Sequence, residues 1–187
     1  MSIHRPKIIS RRGFNRMALS SLIGASGVAA GMINPAFAAL DTMKPLDRAS
    51  PDTPLVDNDG KTGPLAARAD RPLLVNLWAS WCPPCVHELP ALQRLDAALQ
   101  SEGMAVMLIG LDRKGRDFSA QFLADQGISI PRSTYEKTGD FPRQMEVRVM
   151  PTSFFIRPGG RIIGVIEGPL EWDKPSVIAA VKQILQS

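Results

Sequence analysis

Two cysteines separated by two residues constrain the fold and the chemistry of this chain more than any other feature. They lie in Trp81-Cys82-Pro83-Pro84-Cys85 and are the only cysteines among the 187 residues. A disulfide between them closes a very small loop, and since stabilisation by a crosslink grows with loop length, a purely structural crosslink would contribute little. A structural zinc site needs about four Cys or His ligands, whereas the chain after residue 38 offers two Cys and His87. The pair therefore predicts redox chemistry.

The net charge of the chain comes from its N-terminus. Five of the 22 basic residues lie in residues 1–38, which contain no acidic residue, so the remaining chain has 17 basic and 18 acidic residues. A folded domain this close to neutrality gives no reason to expect nucleic acid or an anionic membrane surface as a partner.

Residues 1–38 have the organisation of an export signal. A basic segment, Ser10–Arg16, precedes an uncharged stretch from Met17 to Ile33 that is rich in Ala, Gly and Ser. Ala36-Phe37-Ala38 then supplies the small residues of a cleavage site. We therefore predict a signal peptide over residues 1–38 and a mature protein in the periplasm, an oxidising compartment.

The arginine pair in this signal indicates the route of export. Arg11 and Arg12, ahead of Phe14, resemble the twin-arginine motif of the export system for folded proteins. Asn15 and Arg16 depart from that motif, in which Leu and Lys are common at these positions. A general secretory signal and an uncleaved membrane anchor are the alternatives.

Residues 39–70 are rich in Pro, Asp and Gly and precede the longer apolar segments. Within them, Thr53–Val56 and Gly63–Ala66 flank the turn-like segment Asp57–Gly60, which predicts a short hairpin. We therefore predict an N-terminal extension with a hairpin over residues 39–70 and the main domain over residues 71–187.

Strands and helices alternate in the first part of this domain. Leu73–Trp78 is a nearly continuous apolar run, as expected for a strand buried on both faces. Leucines at three- to four-residue spacing predict a helix over the stretch after Cys82, to about Gln100. A second strand and a second helix follow, at Met104–Leu111 and Phe118–Gln126. This order predicts a parallel α/β unit.

The last third of the chain has a different pattern. Thr152–Arg157 and Arg161–Ile166 read as two strands, and Pro158-Gly159-Gly160 between them is a hairpin signal. An apolar face over Trp172–Leu185 predicts a final helix. The fold class is therefore α/β, with both parallel and antiparallel strands.

The segment Leu74–Pro90, Leu-Val-Asn-Leu-Trp-Ala-Ser-Trp-Cys-Pro-Pro-Cys-Val-His-Glu-Leu-Pro, resembles the thioredoxin superfamily. It is most similar to the bacterial TlpA/ResA/CcmG branch of exported disulfide reductases. The resemblance extends to the N-terminal hairpin, Val149–Thr152, the Pro-Gly-Gly hairpin and the final helix. It implies a thioredoxin-like fold, in which a central mixed sheet with an N-terminal hairpin is flanked by helices.

The spacing of the cysteines has a chemical reason. The thiolate is the attacking species, and the N-terminus of a helix stabilises negative charge. Cys82, at the junction of strand and helix, is therefore expected to expose its sulfur and attack a substrate disulfide. Cys85, one turn inward and shielded, is expected to resolve the mixed disulfide. Pro83 and Pro84 stiffen the loop and remove two amide donors.

The resemblance implies a second part of the site. In the superfamily a cis-proline faces the cysteine pair, and the backbone beside it pairs with the substrate. Met150-Pro151, just before a predicted strand, matches this position; an ordinary trans proline at a strand start is the alternative. Met150 and Pro151, with Trp81, Pro83 and Pro84, are the predicted substrate-binding residues.

Glu88 is the third predicted catalytic residue, after Cys82 and Cys85. It matches the acid in the Cys-x-x-Cys-x-x-Glu-x-Pro pattern of the exported branch, whereas Asn76 stands where cytosolic thioredoxins carry a buried acid. An amide does not titrate in the working range, so Glu88 is expected to exchange a proton with Cys85. A solvated glutamate that interacts only with the helix dipole is the alternative.

Three further residues near the motif are expected to be structural. We predict that His87 is an exposed helix residue, that Trp78 belongs to the core and that Glu167, on the last strand, has no catalytic role. No metal site is predicted.

Together these features predict a periplasmic protein-disulfide reductase whose redox group is the Cys82–Cys85 disulfide, without another cofactor. The resemblance implies client proteins with disulfides or thiols, such as cytochrome c apoproteins or copper-site assembly proteins, and a membrane thiol reductant of the DsbD type. A monomer without a nucleic-acid partner is expected. Two alternatives stay open: a dithiol oxidase that forms disulfides, and a Cu(I) chaperone that uses the two cysteines, with or without His87.

Overall fold

The apolar run Leu73–Trp78 is a central strand of a mixed β-sheet. A computed structural model of the chain describes residues 40–187, so the predicted signal peptide lies outside the described residues. Within the described part, eight strands, four α-helices and a 3-10 helix (Leu65–Ala67) are formed, in the order β1 (Lys44–Ala49), β2 (Leu55–Asp57), β3 (Thr62–Gly63), β4 (Leu73–Trp78), α1 (Pro83–Gln100), β5 (Ala105–Gly110), α2 (Arg116–Asp125), β6 (Ser133–Tyr135), α3 (Asp140–Gln144), β7 (Thr152–Arg157), β8 (Arg161–Glu167) and α4 (Pro175–Gln186).

The sheet combines parallel and antiparallel pairs in the order β1-β8-β7-β4-β5-β6-β2-β3. β4 and β6 run parallel to β5, whereas β7 is antiparallel to both β4 and β8. The register pairs Trp78 with Gly110 and Leu77 with Thr152. The loops that follow β4 and β5 and the segment that precedes β7 therefore meet at one end of the sheet.

Apolar side chains cover both faces of the sheet. On one face, Leu74 and Trp78 share a core with apolar residues of α1 and α4. On the other face, Val75 and Leu77 share a core with Phe141 of α3. Burial on both faces explains why β4 has a nearly continuous apolar sequence. None of the helices within residues 40–187 combines the length and the apolar composition needed to cross a membrane.

Residues 40–70 add strands to both edges of this sheet. β2 and β3 form the predicted hairpin, and β2 also pairs with β6. β1, which the sequence analysis does not predict, pairs with β8 at the opposite edge. Its sequence, Lys-Pro-Leu-Asp-Arg-Ala, is mostly exposed and has no apolar alternation to reveal it. The predicted N-terminal extension is thus part of the same sheet as residues 71–187.

The bounds of most elements agree with the predicted ones. Leu73–Trp78 and Thr152–Arg157 are strands with the expected ends. The final helix begins at Pro175 and not at Trp172, because Lys174 has the extended backbone (φ −63°, ψ 133°) that a residue before proline favours. The short elements β6 and α3 were not predicted, since three and five residues are too few to show a period.

Candidate redox site

Cys82 and Cys85 lie where β4 leads into α1, at the end of the sheet where the loops meet. Their sulfurs form a disulfide, with Cα atoms 5.3 Å apart. Cys82 is the N-cap residue of α1, and its carbonyl accepts a hydrogen bond from the N–H of Val86 at 3.1 Å. The structure therefore confirms that Cys82 stands at the junction of strand and helix.

Cys82 caps the N-terminus of α1. The helix has 18 residues, so its aligned peptide dipoles give a positive partial charge at this end. Pro83 and Pro84 occupy the first two helical positions and have no N–H, so the first amide of the helix that is able to donate belongs to Cys85. A positive partial charge at a helix N-terminus is of the sign that stabilises a thiolate.

Cys82 is less accessible than the sequence analysis predicts. It is 5% exposed, and Cys85 is fully buried. The prediction that Cys82 exposes its sulfur is therefore wrong for the disulfide form, because the bond joins the Cys82 sulfur to a side chain inside the core. The predicted order holds, with Cys82 the more accessible of the two.

The Glu88 carboxylate is buried and held by three donors. It is 4% exposed, which excludes the alternative of a solvated glutamate. The Asn76 Nδ2–H donates to Oε1 at 2.7 Å, and the Leu170 N–H and Trp172 Nε1–H donate to Oε2 at 3.1 Å each. Trp172, predicted as the start of a helix, instead contributes a hydrogen bond to this carboxylate. A buried acid requires donors, but sequence alone does not show which residues provide them.

Burial dominates the ionisation of Glu88. Desolvation raises its pKa from 4.5 to about 7, although its three hydrogen bonds act in the opposite direction. Glu88 also lines an open groove of about 640 Å³ between α1 and the loop after β8, with Arg94 and Pro169 among its other lining residues. A carboxyl that titrates near neutral pH and borders a groove can accept a proton from inside the protein and release it to water.

Asn76 links Glu88 to β7. Its Nδ2 donates to Glu88 and also to the Ser153 Oγ, at 3.0 Å, whereas its Oδ1 is buried without a hydrogen-bond partner among the described residues. Rotation of the amide would present Oδ1 to the same two groups, and both a protonated carboxyl and a serine hydroxyl can donate to it. The pocket can therefore satisfy Glu88 in either protonation state.

The predicted substrate-binding residues lie at the same end of the sheet. Trp81 is 64% exposed, and Pro83 and Pro84 beside it are also exposed. The Met150–Pro151 bond is cis, as predicted, and the strand register places it beside the end of β4. Met150 packs against the apolar cluster that contains both cysteines.

A buried carboxylate that no sequence motif indicates supports the loop before Cys82. Asp112, 3% exposed, accepts hydrogen bonds from the Ser80 Oγ at 2.7 Å, the Ser80 N–H at 3.2 Å and the Ser119 Oγ at 2.9 Å. It thereby connects the loop after β4 to α2. Its position just after β5 could have indicated that it lies near the loop after β4, since neighbouring parallel strands end at the same edge of a sheet.

The structure agrees with the predicted exposure of His87 and burial of Trp78, and it shows where Glu167 lies. His87 is exposed on α1, Trp78 is fully buried, and Glu167 forms an ion pair with Lys44 of β1. Within residues 40–187, no group of three or more His, Cys, Asp or Glu side chains is arranged to hold a metal ion.

Similarity to known proteins covers most of the chain. A family model described as Redoxin matches residues 31–182. The thiol-disulfide oxidoreductase ResA of Oceanobacillus iheyensis is 30% identical over 117 residues, 62% of this chain and 59% of that protein. The thiol:disulfide interchange protein HelX of Rhodobacter capsulatus is 32% identical over 123 residues, 65% of this chain and 62% of that protein. The matched region thus spans about three fifths of the length of each relative.

The fold is also found among solved structures. A thiol:disulfide interchange protein of the thioredoxin family from Chlorobium tepidum has a TM-score of 0.55 and 27% sequence identity, covering 73% of this chain and 97% of that chain. With the ResA match, this similarity confirms the thioredoxin-like fold and the ResA-like branch that the sequence indicates.

Proposed function

Because the chain belongs to the Redoxin family, we propose that it is a protein thiol–disulfide oxidoreductase that reduces disulfides of client proteins outside the cytoplasm. The observation that carries the proposal is the Cys82–Cys85 disulfide at the N-terminus of α1, with the buried Glu88 one turn behind it. The names of the ResA and HelX relatives support the same reaction class.

The reaction begins with the dithiol form of the protein. The Cys82 thiolate attacks one sulfur of a client disulfide, the client S–S bond breaks, and the other client sulfur leaves as a thiolate that takes a proton. Cys82 is then joined to the client by a mixed disulfide. Trp81, Pro83, Pro84, Met150 and Pro151 provide the surface on which the client lies.

Resolution uses the second cysteine. Cys85 loses its proton to Glu88, and its thiolate attacks the Cys82 sulfur, which breaks the mixed disulfide and releases the second client thiolate. Two electrons have then passed from the enzyme to the client, and the Cys82–Cys85 disulfide is restored. Glu88 returns its proton through the groove that it lines.

A new cycle requires two electrons from outside the protein. We propose that a membrane thiol reductant of the DsbD type supplies them by reducing the Cys82–Cys85 disulfide, so that no other cofactor is needed. Cytochrome c apoproteins and copper-site assembly proteins are the clients that the resemblance favours, because both must present reduced thiols.

The direction of the reaction is tested by the reduction potential of the cysteine pair. A reductase should have a value near that of thioredoxin, about −270 mV, whereas a dithiol oxidase should lie near −120 mV. The oxidised fraction is measured by thiol alkylation after equilibration in dithiothreitol buffers of known potential, with thioredoxin measured in parallel. A potential near −120 mV would contradict the proposed reductase function and favour the dithiol oxidase.

Location outside the cytoplasm rests on the signal at residues 1–38. Replacing both Arg11 and Arg12 with Lys is expected to block processing and leave the precursor in the cytoplasm, because the twin-arginine route requires this pair. Export is measured by fractionation and by the size of the protein in immunoblots. Normal export in a strain without the twin-arginine translocase would instead indicate the general secretory route.

A further inference from the structure

A groove of about 360 Å³ lies beside the disulfide, between Trp81 and the loop from β5 to α2. Its rim carries the exposed side chains of Arg113 and Lys114, and Ser80, Leu111 and Phe118 complete its lining. The Lys114 ammonium lies 4.3 Å from the centre of the Phe118 ring, a cation–π contact that holds the charge over the groove. Two cations therefore lie on the rim of a groove that is also lined by Trp81, the residue before Cys82.

The positive charge of this loop is not neutralised by neighbouring acids. Within the part of the chain that the structure describes, neither Arg113 nor Lys114 forms an ion pair, whereas Arg116, at the start of α2, is paired with Asp117. Asp112, at the base of the groove, is buried and accepts hydrogen bonds from Ser80 and Ser119. The exposed charge at the groove is thus positive, on a domain whose overall charge is close to zero.

Exposed apolar side chains lie next to the disulfide and next to the cis-proline. The large apolar side chains that are exposed among residues 40–187 are Trp81, at 64%, and Val149, at 45%. Trp81 immediately precedes Cys82, and Val149 immediately precedes Met150-Pro151. A client segment on this surface would therefore contact apolar side chains beside the disulfide and cations at the groove.

We propose that the groove between Trp81 and the β5–α2 loop selects client segments that carry an acidic side chain next to the reacting cysteine. The acidic group lies against Arg113 and Lys114, and the indole of Trp81 packs on the neighbouring backbone. Charge complementarity of this kind mainly raises the rate of productive encounter. This inference rests on the proposed function, since it names the class of client that the redox site accepts.

The test uses three synthetic peptides whose single cysteine is joined by a disulfide to 2-mercaptoethanol, which is uncharged. They differ only in the residue beside the cysteine, which is Glu, Gln or Lys. With reduced enzyme at low salt, the Glu peptide is expected to release its thiol about tenfold faster than the Lys peptide. At about 0.5 M salt the difference should shrink, because the screening length becomes only a few ångströms.

The double variant Arg113→Gln/Lys114→Gln is expected to bring the Glu-to-Lys rate ratio close to one. The matched control is Arg71→Gln/Arg157→Gln, which removes the same charge at the opposite end of the sheet, beside the start of β4 and the end of β7. The control should keep the ratio of the parent protein.

Equal rates for the Glu and Lys peptides in the parent, or an equal loss of the ratio in both double variants, would overturn the assignment of the groove. Failure of the parent to react with any of the three peptides, the Gln peptide included, would overturn the proposed reductase function itself and the inference with it.

Discussion

Replacing Cys82 with serine is expected to abolish reduction of protein disulfides, because a serine hydroxyl does not form the attacking sulfur anion. Replacing Cys85 with serine should also stop turnover, but at a later step, since Cys82 still attacks and nothing resolves the mixed disulfide. Both rates are measured by the precipitation of insulin chains in the presence of dithiothreitol. Each is expected to fall to the rate of the reagent alone.

Alkylation of the reduced parent protein at neutral pH shows which of the two cysteines is the nucleophile. Cys82, at the helix N-terminus and the more accessible of the pair, should react first with iodoacetamide. Faster labelling of Cys85 would show that Cys85, and not Cys82, is the nucleophile. Near-ultraviolet circular dichroism of the oxidised parent and of both variants controls for loss of the fold.

Replacing Glu88 with glutamine is expected to slow disulfide exchange about 100-fold at pH 7, the usual scale for the loss of a general base. In the parent, the rate of resolution should rise as pH increases through about 7, where Glu88 becomes able to accept a proton. In the variant this rise should move to higher pH, since the Cys85 thiol must then lose its proton to solvent. Single-turnover release of client from the mixed disulfide is the measurement.

The same substitution should leave the fold intact. A glutamine can keep the hydrogen bonds from Leu170 and Trp172, and rotation of the Asn76 amide lets Oδ1 accept from the new amide. Glu171→Gln is the matched control, because Glu171 lines the same groove but is exposed. An unchanged rate and pH profile in Glu88→Gln would remove Glu88 from the reaction.

The free energy of unfolding should decrease as pH rises, because the pKa of Glu88 is higher in the folded protein than in the unfolded chain. Between pH 4.5 and about 7 the unfolded chain loses this proton while the folded protein keeps it. The stabilising contribution is therefore complete below pH 4.5 and is lost as pH rises through 7, by about 3 kcal/mol. Urea unfolding of the oxidised proteins should show the parent losing this amount relative to Glu88→Gln between pH 4.5 and 8.

The central part of the fold could be predicted because its sequence patterns are strong. β4 is a six-residue apolar run buried on both faces, and α1 carries leucines at helical spacing. The motif between them and the Met150-Pro151 segment are specific enough to indicate the superfamily. β1 could not be predicted, because an exposed edge strand lacks an apolar pattern, and the three residues of β6 are too few to show one.

Only the site residues that lie in recognisable sequence motifs could be predicted. Cys82, Cys85 and Glu88 belong to one sequence motif, whereas the hydrogen bonds from Trp172 to Glu88 and from Asn76 to Ser153 join residues far apart in sequence. The low exposure of Cys82 in the disulfide form depends on how the loop packs against the core, which the motif does not specify.

The central claim is that Cys82 attacks the client and Cys85 resolves the intermediate, and trapping of that intermediate tests it most directly. Reduced Cys85→Ser protein is mixed with a disulfide-bonded client, quenched in acid and analysed by intact mass and peptide mapping. We expect a one-to-one adduct through Cys82 that accumulates in this variant and is absent from Cys82→Ser protein. An adduct that forms instead on Cys85 in the Cys82→Ser protein, with none in Cys85→Ser, would contradict the central claim.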